Sequence, residues 1–384
     1  MSFAYLDRYL DSFYREKNIP GVGIAVYRNG VLLHEKYAGF AEVETGRPFA
    51  RDTLVNLYSA TKISTCTAGL RMAERGEISL DAPVADWLPA FSSPRVKTEN
   101  GGTAPAEKPL LVRHLFSMSG GFSYDWNVPS LIRLREETGG RFTTRQFADA
   151  LAEEPLLFEP GTHFRYSFCH DVLGALLEAA AGIPFCDVLR REVFDPLGMK
   201  DTAFRLNDGQ RARMAPEYHG FDGKTGTAKS VVRKEGSGRA TLFESGGGGL
   251  ISSVRDYGIL AAALANGGVS PDGIRILERE TVDLMRTNQL NEVALADFGG
   301  MGGWSKAGYG YGLGVRTLMD RERNNSLSEN GEFGWDGALG CWLMADPSTG
   351  IGIFYAQEEG GSPWWTWHGT VRNIALACVL GEME

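Results

Sequence analysis

Apolar residues cluster near both ends of the chain in pairs of short runs, and a turn separates the two runs of each pair. The four runs are residues 22–27, 31–37, 341–345 and 351–356. Asn29-Gly30 separates the first pair, and this dipeptide favours the tight turn of a β-hairpin. Residues 346–350 separate the second pair and have the composition of a longer turn. The pattern therefore predicts one β-hairpin near each end.

Elsewhere the apolar positions recur with the period of a helix. This predicts helices at residues 3–17, 60–75, 109–118, 129–137, 144–153, 169–182, 184–196, 254–266 and 365–380. The segment 96–108 is polar and rich in glycine and proline, which is typical of a surface loop.

The simplest architecture that satisfies both patterns is an α/β (α+β) fold. Both hairpins join one antiparallel sheet, the first and last helices pack on its face, and a helical lobe is inserted between the hairpins. We expect residues 1–58 and 236–384 to form the sheet lobe and residues 59–235 to form the mainly helical lobe. A cleft between two such lobes is a common place for an active site.

Composition narrows the class of protein and partner. The chain has 384 residues, of which 43% are hydrophobic and 23% charged, as in ordinary soluble proteins. The net charge of -9 argues against nucleic acid and anionic membrane surfaces as partners. No apolar run is long enough to span a bilayer, and the first residues lack the pattern of a signal peptide. We therefore expect a cytoplasmic protein.

Cysteine and histidine positions give no sign of a metal site. The five cysteines are scattered in mostly apolar surroundings, which is typical of reduced, buried thiols. The six histidines form no pair with the spacing of metal ligands. We expect neither a metal ion nor a cofactor.

Ser59 and Lys62 stand three residues apart at the start of a predicted helix, so their side chains share one helix face. Residues 63–73 are small and apolar nearly all round, which indicates a buried helix. A serine hydroxyl is a poor nucleophile at neutral pH and needs a base nearby. A lysine can serve as that base if burial or a second positive group keeps it partly neutral.

Two further segments carry groups that such a serine would need. Tyr166 follows a Pro160-Gly161 turn and precedes the predicted helix 169–182, so its hydroxyl can project into a cleft and relay protons. Residues 334–340 begin a predicted strand. Acyl transfer creates an oxyanion that needs two backbone N–H donors, and Ala338 and Ser59 can supply them.

Three motifs follow one another along the chain: Ser59 with Lys62, Tyr166-Ser167, and Trp335-Asp336-Gly337. Their order resembles that of the serine β-lactamase and penicillin-recognising superfamily, especially its class C-like branch with D-alanyl-D-alanine carboxypeptidases and family VIII esterases. Residues 112–121, 244–253 and 309–314 support the resemblance, which runs from about residue 5 to the end. It implies an acyl-enzyme mechanism, in which Ser59 attacks, Lys62 and Tyr166 move protons, and water deacylates.

One segment spells the third superfamily motif literally but does not fit its place. Lys224-Thr225-Gly226 lies in a polar turn with no strand after it. It also precedes residues 244–253, whereas in the superfamily the third motif follows that stretch. We therefore assign the third motif to Trp335-Asp336-Gly337.

Two departures from the superfamily pattern bear on the substrate. Phe168 replaces an asparagine that holds the lysine and the substrate amide, and His170 or Asp171 are the candidates to substitute for it. Trp335 replaces a lysine that pairs with a substrate carboxylate, a contact worth about 1.5–3 kcal/mol. Both changes favour neutral acyl groups. Six aromatic residues are candidates for either an acyl pocket or the core: Tyr124, Trp126, Trp304, Trp364, Trp365 and Trp367.

The sequence thus predicts a serine hydrolase, with a carboxylesterase for small or medium acyl esters as the first hypothesis. The predicted partner is a small-molecule acyl substrate, contacted by Ala338, Trp335, Asp336, Gly337, Phe168 and His170. A β-lactamase or D-alanyl-D-alanine carboxypeptidase is the second hypothesis. A catalytically silent binding module with the same fold is the third.

Overall fold

The computed structural model describes residues 2–233, 242–301 and 307–381. Its α-helices are α1 Ala4–Asp11, α2 Phe13–Glu16, α3 Thr61–Glu74, α4 Val112–Phe116, α5 Pro129–Thr138, α6 Thr144–Leu151, α7 Cys169–Ala181, α8 Phe185–Leu189, α9 Asp195–Leu197, α10 Asp208–Arg211, α11 Val254–Ala265, α12 Arg279–Met285, α13 Glu292–Gly300, α14 Arg321–Asn324 and α15 His368–Leu380. A π-helical turn, Arg190–Phe194, joins α8 to α9. Short 3₁₀ helices lie at Tyr58–Ala60, Val84–Asp86, Pro89–Phe91 and Trp364–Thr366.

The strands are β1 Gly21–Arg28, β2 Val31–Glu42, β3 Arg47–Pro48, β4 Leu54–Asn56, β5 Arg95–Lys97, β6 Thr103–Pro105, β7 Glu217–His219, β8 Ser230–Val232, β9 Ile251–Ser253, β10 Tyr309–Tyr311, β11 Arg316–Leu318, β12 Phe333–Asp336, β13 Trp342–Asp346, β14 Ile351–Gln357 and β15 Glu359–Gly360. The main sheet has the order β10-β11-β12-β13-β14-β1-β2-β3, and its strand pairs are antiparallel. The two predicted hairpins meet at its centre, where Val22 of β1 lies opposite Gln357 of β14.

The two faces of the sheet are covered by different elements because side chains alternate along each strand. Ile24, Met344 and Tyr355 point to one face, where they form a core with α1, α2 and α15. Leu343 and Phe354 point to the other face and pack against α11 and the helical part of the chain. The sheet thus has helices on both sides, and the third sequence motif lies on β12, next to the sheet edge formed by β10 and β11.

A second, small pairing joins the segment that carries Ser59 to the glycine-rich segment 246–249. Strand β4 pairs with β9, and Leu57 N donates to Leu250 O at 2.9 Å. Helix α3 begins just after this pairing and is buried along most of its length. It packs against α7, which follows the Tyr166 motif. Strand pairing and helix packing therefore bring three distant parts of the chain together at the start of α3.

The predicted antiparallel sheet with terminal helices on its face is confirmed, and most predicted helices lie within a few residues of their expected places. The predicted helix 3–17 is divided at Ser12, whose hydroxyl donates to Tyr9 O at 2.8 Å and competes with the helical pattern. The predicted loop 96–108 contains the hairpin β5–β6. The boundary at 235/236 lies outside the described residues, so the division into two lobes stays a prediction.

In the described ranges, no single helix has the length and apolar composition needed to cross a membrane.

Candidate active site

Ser59 sits in a sharp turn between β4 and α3. The preceding residue, Tyr58, has φ of 43°, in a left-handed region that bulky residues rarely adopt. The Tyr58 hydroxyl donates to Glu217 Oε1 at 2.8 Å, which helps to hold this conformation. The turn leaves Ser59 half-buried at the beginning of α3.

Lys62 is fully buried beneath Ser59. Its Nζ donates to Ser59 Oγ at 3.3 Å and also to the Gly247 carbonyl. It lies 4.6 Å from the ring centre of Tyr166 and 5.7 Å from that of Tyr124. The structure therefore brings the predicted serine, lysine and tyrosine together, and it adds Tyr124 and the Gly247 carbonyl to their surroundings.

The surroundings of Lys62 favour its charged form. Burial acts to lower the pKa of Lys62, but Tyr124, Tyr166 and Asp171 outweigh burial and raise this pKa above its ordinary value. This direction favours an ammonium group at Lys62 over the partly neutral amine expected from the sequence. An ammonium donates hydrogen bonds and cannot accept the proton of Ser59.

Trp335 supports Tyr166 from the third motif. Its indole Nε1 donates to the Tyr166 hydroxyl at 3.2 Å, and the two rings stack with centres 5.6 Å apart. The other side of the indole meets Tyr311 edge-on at 5.2 Å. Trp335 has no exposed surface, so in this structure it contacts Tyr166 and does not form an open wall for substrate.

The turn that carries Ala338 packs against the segment before Ser59. Strand β12 ends in a turn in which Gly337 N donates to Cys341 O at 2.7 Å, and Ala338 is exposed at its tip. A Cβ atom at Gly337 would lie 2.3 Å from Leu57 O, so only glycine lets this turn pack against the segment before Ser59. Within the described residues, the N–H groups of Ser59 and Ala338 have no protein acceptor.

Asp336 faces away from Ser59. Side chains alternate along β12, and the Asp336 carboxylate accepts from Arg316 Nη1 at 3.0 Å on the side opposite Trp335. This places Asp336 outside the predicted substrate contacts. It borders a cavity of about 290 Å³ between β12 and the start of α15. There the Arg372 guanidinium donates to the Tyr309 hydroxyl at 2.8 Å, so the charged groups pair with one another.

The side chain of His170 is also not available to contact a substrate. It is fully buried, with Nε2 3.1 Å from Phe116 O and 3.5 Å from Cys66 Sγ. Burial, together with the charge of Lys62, lowers the pKa of His170 to about 3, so this imidazole is neutral. His170 is therefore a packed core residue, and of the two candidates for the missing asparagine only Asp171 remains.

Phe168 turns into an aromatic cluster and does not point at Lys62. Its ring centre lies 4.7 Å from Tyr124, 5.0 Å from Trp126 and 5.2 Å from Phe147. Tyr124 and Trp126 are 42% and 37% exposed, so they present an apolar surface beside Lys62. Where the superfamily has an asparagine, this chain thus has Phe168, which supports an aromatic surface and offers no amide.

The other aromatic candidates lie elsewhere or outside the described residues. Trp364 stacks on His368 and donates from Nε1 to Ala338 O at 3.2 Å, so it supports the turn from behind. Trp365 packs edge-on against Trp364, and Trp367 packs edge-on against Phe13 near the first helices. Trp304 lies outside the described residues.

The rejected segment 224–226 is a turn, as predicted, but the expectation that no strand follows it is wrong, because β8 follows and pairs with β7 across this turn. Asp222 and Thr227 form an isolated bridge across it, and Gly226 N donates to Asp222 O at 2.8 Å. Its neighbour Gly223 packs against the backbone of Tyr14, in the second half of the N-terminal helical segment. Segment 224–226 thus lies beside the N-terminal helical segment, and its contacts among the described residues are not with the elements that carry the serine, lysine and tyrosine.

Comparisons with known proteins agree with this geometry. The sequence profile of the family described as Beta-lactamase matches residues 6–363. Esterase EstB of Burkholderia gladioli is 31% identical over 91% of this chain and 88% of EstB. Protein Rv1367c of Mycobacterium tuberculosis is 30% identical over 89% of this chain and 86% of its own length. The structure of EstCE1, a hydrolase with promiscuous acyltransferase activity, has a TM-score of 0.78 and 27% identity, covering 97% of this chain and 98% of EstCE1.

Fold, motifs and relatives together define a serine hydrolase of the esterase-like type. The chain belongs to the Beta-lactamase family.

Proposed function

We propose that this protein is a carboxylesterase that cleaves small or medium, uncharged acyl esters through an acyl-enzyme at Ser59. The observation that carries the proposal is the position of Lys62 Nζ, which is 3.3 Å from Ser59 Oγ and 4.6 Å from the ring centre of Tyr166. Because Lys62 is charged, we assign the role of proton acceptor to Tyr166 in its phenolate form, which the neighbouring ammonium stabilises.

The proposed reaction has two halves. Ser59 Oγ attacks the ester carbonyl while its proton passes to the Tyr166 phenolate, which becomes a phenol, and the N–H groups of Ser59 and Ala338 stabilise the oxyanion. The tetrahedral intermediate collapses, the ester C–O bond breaks, and the leaving alkoxide takes the proton back from Tyr166 as an alcohol. Water then attacks the acyl group, gives its proton through Tyr166 to Ser59 Oγ, and releases the carboxylic acid.

The preference for esters rests on the charges and surfaces of the site. The position of the superfamily lysine that pairs with a carboxylate is taken by Trp335, which is buried and donates to Tyr166. The position of the asparagine that binds an amide is taken by Phe168, which supports the exposed rings of Tyr124 and Trp126. A neutral acyl or alcohol group fits this surface better than an anionic lactam or a peptide C-terminus. The esterase name of EstB supports the same direction.

The test is active-site labelling combined with a substrate panel. A fluorophosphonate is expected to add one mass adduct, mapped by peptide mass spectrometry to Ser59, and Ser59→Ala is expected to lose it. Ser93→Ala, at an exposed serine, is the matched control and is expected to label like the wild type. We expect p-nitrophenyl butyrate to be cleaved much faster than nitrocefin or a D-alanyl-D-alanine peptide.

Each outcome selects one hypothesis. Labelling of Ser59→Ala at the wild-type level would remove Ser59 from the reaction. Nitrocefin or peptide turnover equal to ester turnover would favour the hypothesis of a β-lactamase or carboxypeptidase. A wild-type protein that neither labels nor turns over any substrate would favour the binding module.

A further inference from the structure

Asp171 is a buried carboxylate that binds the glycine-rich segment beside Lys62. It lies in the first turn of α7 and is 1% exposed. Ser245 Oγ donates to Asp171 Oδ1 at 2.5 Å, and Gly247 N donates to the same oxygen at 3.2 Å. A Cβ atom at Gly247 would lie 2.5 Å from Asp171 Oδ2, so glycine is needed for this close approach. Asp171 thus fastens the glycine-rich segment that follows Ser245.

Gly247 connects the carboxylate to the catalytic lysine. Its N–H donates to Asp171, and its carbonyl accepts from the Lys62 ammonium. Because both contacts involve one residue, a shift of the carboxylate moves the acceptor that holds Lys62. Ser245 gives Asp171 a second attachment to the same segment.

The charge of Asp171 also acts on Lys62 through space, and it is among the groups that raise the pKa of Lys62. The titratable groups that interact electrostatically with Lys62 are Cys66, Tyr124, Tyr166, Cys169, His170 and Asp171. Burial raises the pKa of both cysteine thiols, and His170 is neutral. Burial also raises the pKa of Asp171, and Lys62 together with the hydrogen bonds from Ser245 and Gly247 acts against burial. Asp171 is the carboxylate of this group, and an isolated buried ammonium without such a counter-charge is costly.

We propose that Asp171 is a positioning residue that compensates for the asparagine replaced by Phe168. Acting through the Gly247 carbonyl, it holds the Lys62 ammonium toward Ser59 and supplies its counter-charge. Asp171 does not touch the reacting atoms. The inference rests on the proposed function, because it assigns to Lys62 the role of a charged group in the acylation of Ser59.

The first test is Asp171→Asn, which keeps the size of the side chain and an oxygen acceptor but removes the charge. We expect kcat for p-nitrophenyl butyrate to fall roughly 10-fold with little change in KM. Removing the anion lowers the pKa of Lys62. The alkaline limb of the fluorophosphonate labelling rate at Ser59 therefore moves about 1 pH unit toward lower pH. Asp187→Asn, at a more exposed carboxylate paired with Arg190, is the matched control and keeps wild-type values.

The second test is Ser245→Ala, which removes one attachment of Asp171 but leaves its charge. Under the proposal the labelling rate falls about 3-fold or more, as expected for the loss of one hydrogen bond to a charged group, and the alkaline limb stays in place. Circular dichroism checks the fold of every variant. If Asp171→Asn does not fold, Ser245→Ala decides, because a wild-type labelling rate in this variant overturns the proposal.

The outcomes separate this inference from the proposed function. A wild-type protein without labelling at Ser59 contradicts the proposed function itself. Two outcomes overturn only the role of Asp171, provided that the wild type is labelled and Asp171→Asn folds. In the first, kcat of the variant is unchanged. In the second, kcat is lower but the alkaline limb of the labelling rate does not move. A lower kcat with a shifted limb supports it.

Discussion

The indole of Trp335 donates a hydrogen bond to the hydroxyl oxygen of Tyr166 at 3.2 Å while the two rings stack. The Tyr166 oxygen accepts this bond, so it is stabilised when it carries negative charge. The Lys62 ammonium, 4.6 Å from the same ring, acts in the same sense. In our proposal, a neutral indole and one ammonium together stabilise the phenolate oxygen of Tyr166 that accepts the Ser59 proton.

We predict that Trp335→Phe lowers kcat for p-nitrophenyl butyrate roughly 10-fold, because it removes the N–H donor but keeps an aromatic ring against Tyr166. The value is measured by steady-state kinetics, with KM expected to change less than kcat. Trp365→Phe, at a 40% exposed indole, serves as the control. An unchanged kcat in a folded Trp335→Phe variant would show that the bond does not contribute.

Lys62→Ala and Tyr166→Phe should each lower kcat by at least ~10²-fold, because the first removes the charge that stabilises the Tyr166 oxygen and the second removes the oxygen that takes the Ser59 proton. Both variants keep Ser59 and both backbone donors. Steady-state and burst kinetics with p-nitrophenyl butyrate measure the loss in acylation and deacylation separately. A variant with a near-normal rate would remove its residue from the mechanism.

Gly337→Ala should nearly abolish turnover because the new Cβ would collide with Leu57 O, 2.3 Å away. The collision pushes the turn that carries Ala338 away from Ser59, and loss of one oxyanion donor typically costs about 10²–10³ in kcat. Gly299→Ala is the matched control, since a Cβ there meets nothing within 4 Å. Equal kcat in both variants would argue against an oxyanion role for this turn.

Phe168→Ala should destabilise the protein by about 3–5 kcal/mol, because it opens a cavity among the rings of Tyr124, Trp126 and Phe147. Urea unfolding measures the change. Phe168→Leu fills most of the space, so we expect a distinctly smaller decrease in the free energy of unfolding. A loss below about 1 kcal/mol for Phe168→Ala would mean that the cluster contributes little to stability.

Stability should fall as the pH drops from about 6.5 toward 4, the range set by the ordinary histidine pKa and that of folded His114. Burial, with the charge of Arg113, lowers the pKa of His114 to about 4. In this range the unfolded chain binds a proton at His114 and the folded chain does not, so the free energy of unfolding decreases as the pH decreases. Thermal unfolding of wild type and His114→Gln measures this, and the variant should show a shallower fall in Tm. Parallel Tm profiles would contradict the assignment.

Local patterns made much of the fold predictable. The first hairpin was recognisable because Asn29 and Gly30 both adopt positive φ, 50° and 77°, as their turn requires. Strands β10 and β11 were missed because each has three residues, too few for an alternating pattern to show. Helix α13 was missed because it contains two glycines within nine residues.

The site was predictable where its parts are close in sequence and less so where they are not. Ser59 and Lys62 are linked by helical spacing alone, and the structure joins them at 3.3 Å. The placement of Asp171 against Gly247 depends on how α7 packs beside the glycine-rich segment. A single sequence carries only an indirect sign of it, an acidic residue at the start of an otherwise apolar helix.

The pairing of β1 with β14 sets the order in which the site is completed during synthesis. The ribosome releases Val22 long before Gln357, its partner across the centre of the sheet. Contacts between such distant segments form late in folding. Under the proposed function, Ser59 therefore meets its oxyanion turn only after nearly the whole polypeptide has emerged, and a nascent chain carries the proposed nucleophile without the groups that it needs to react.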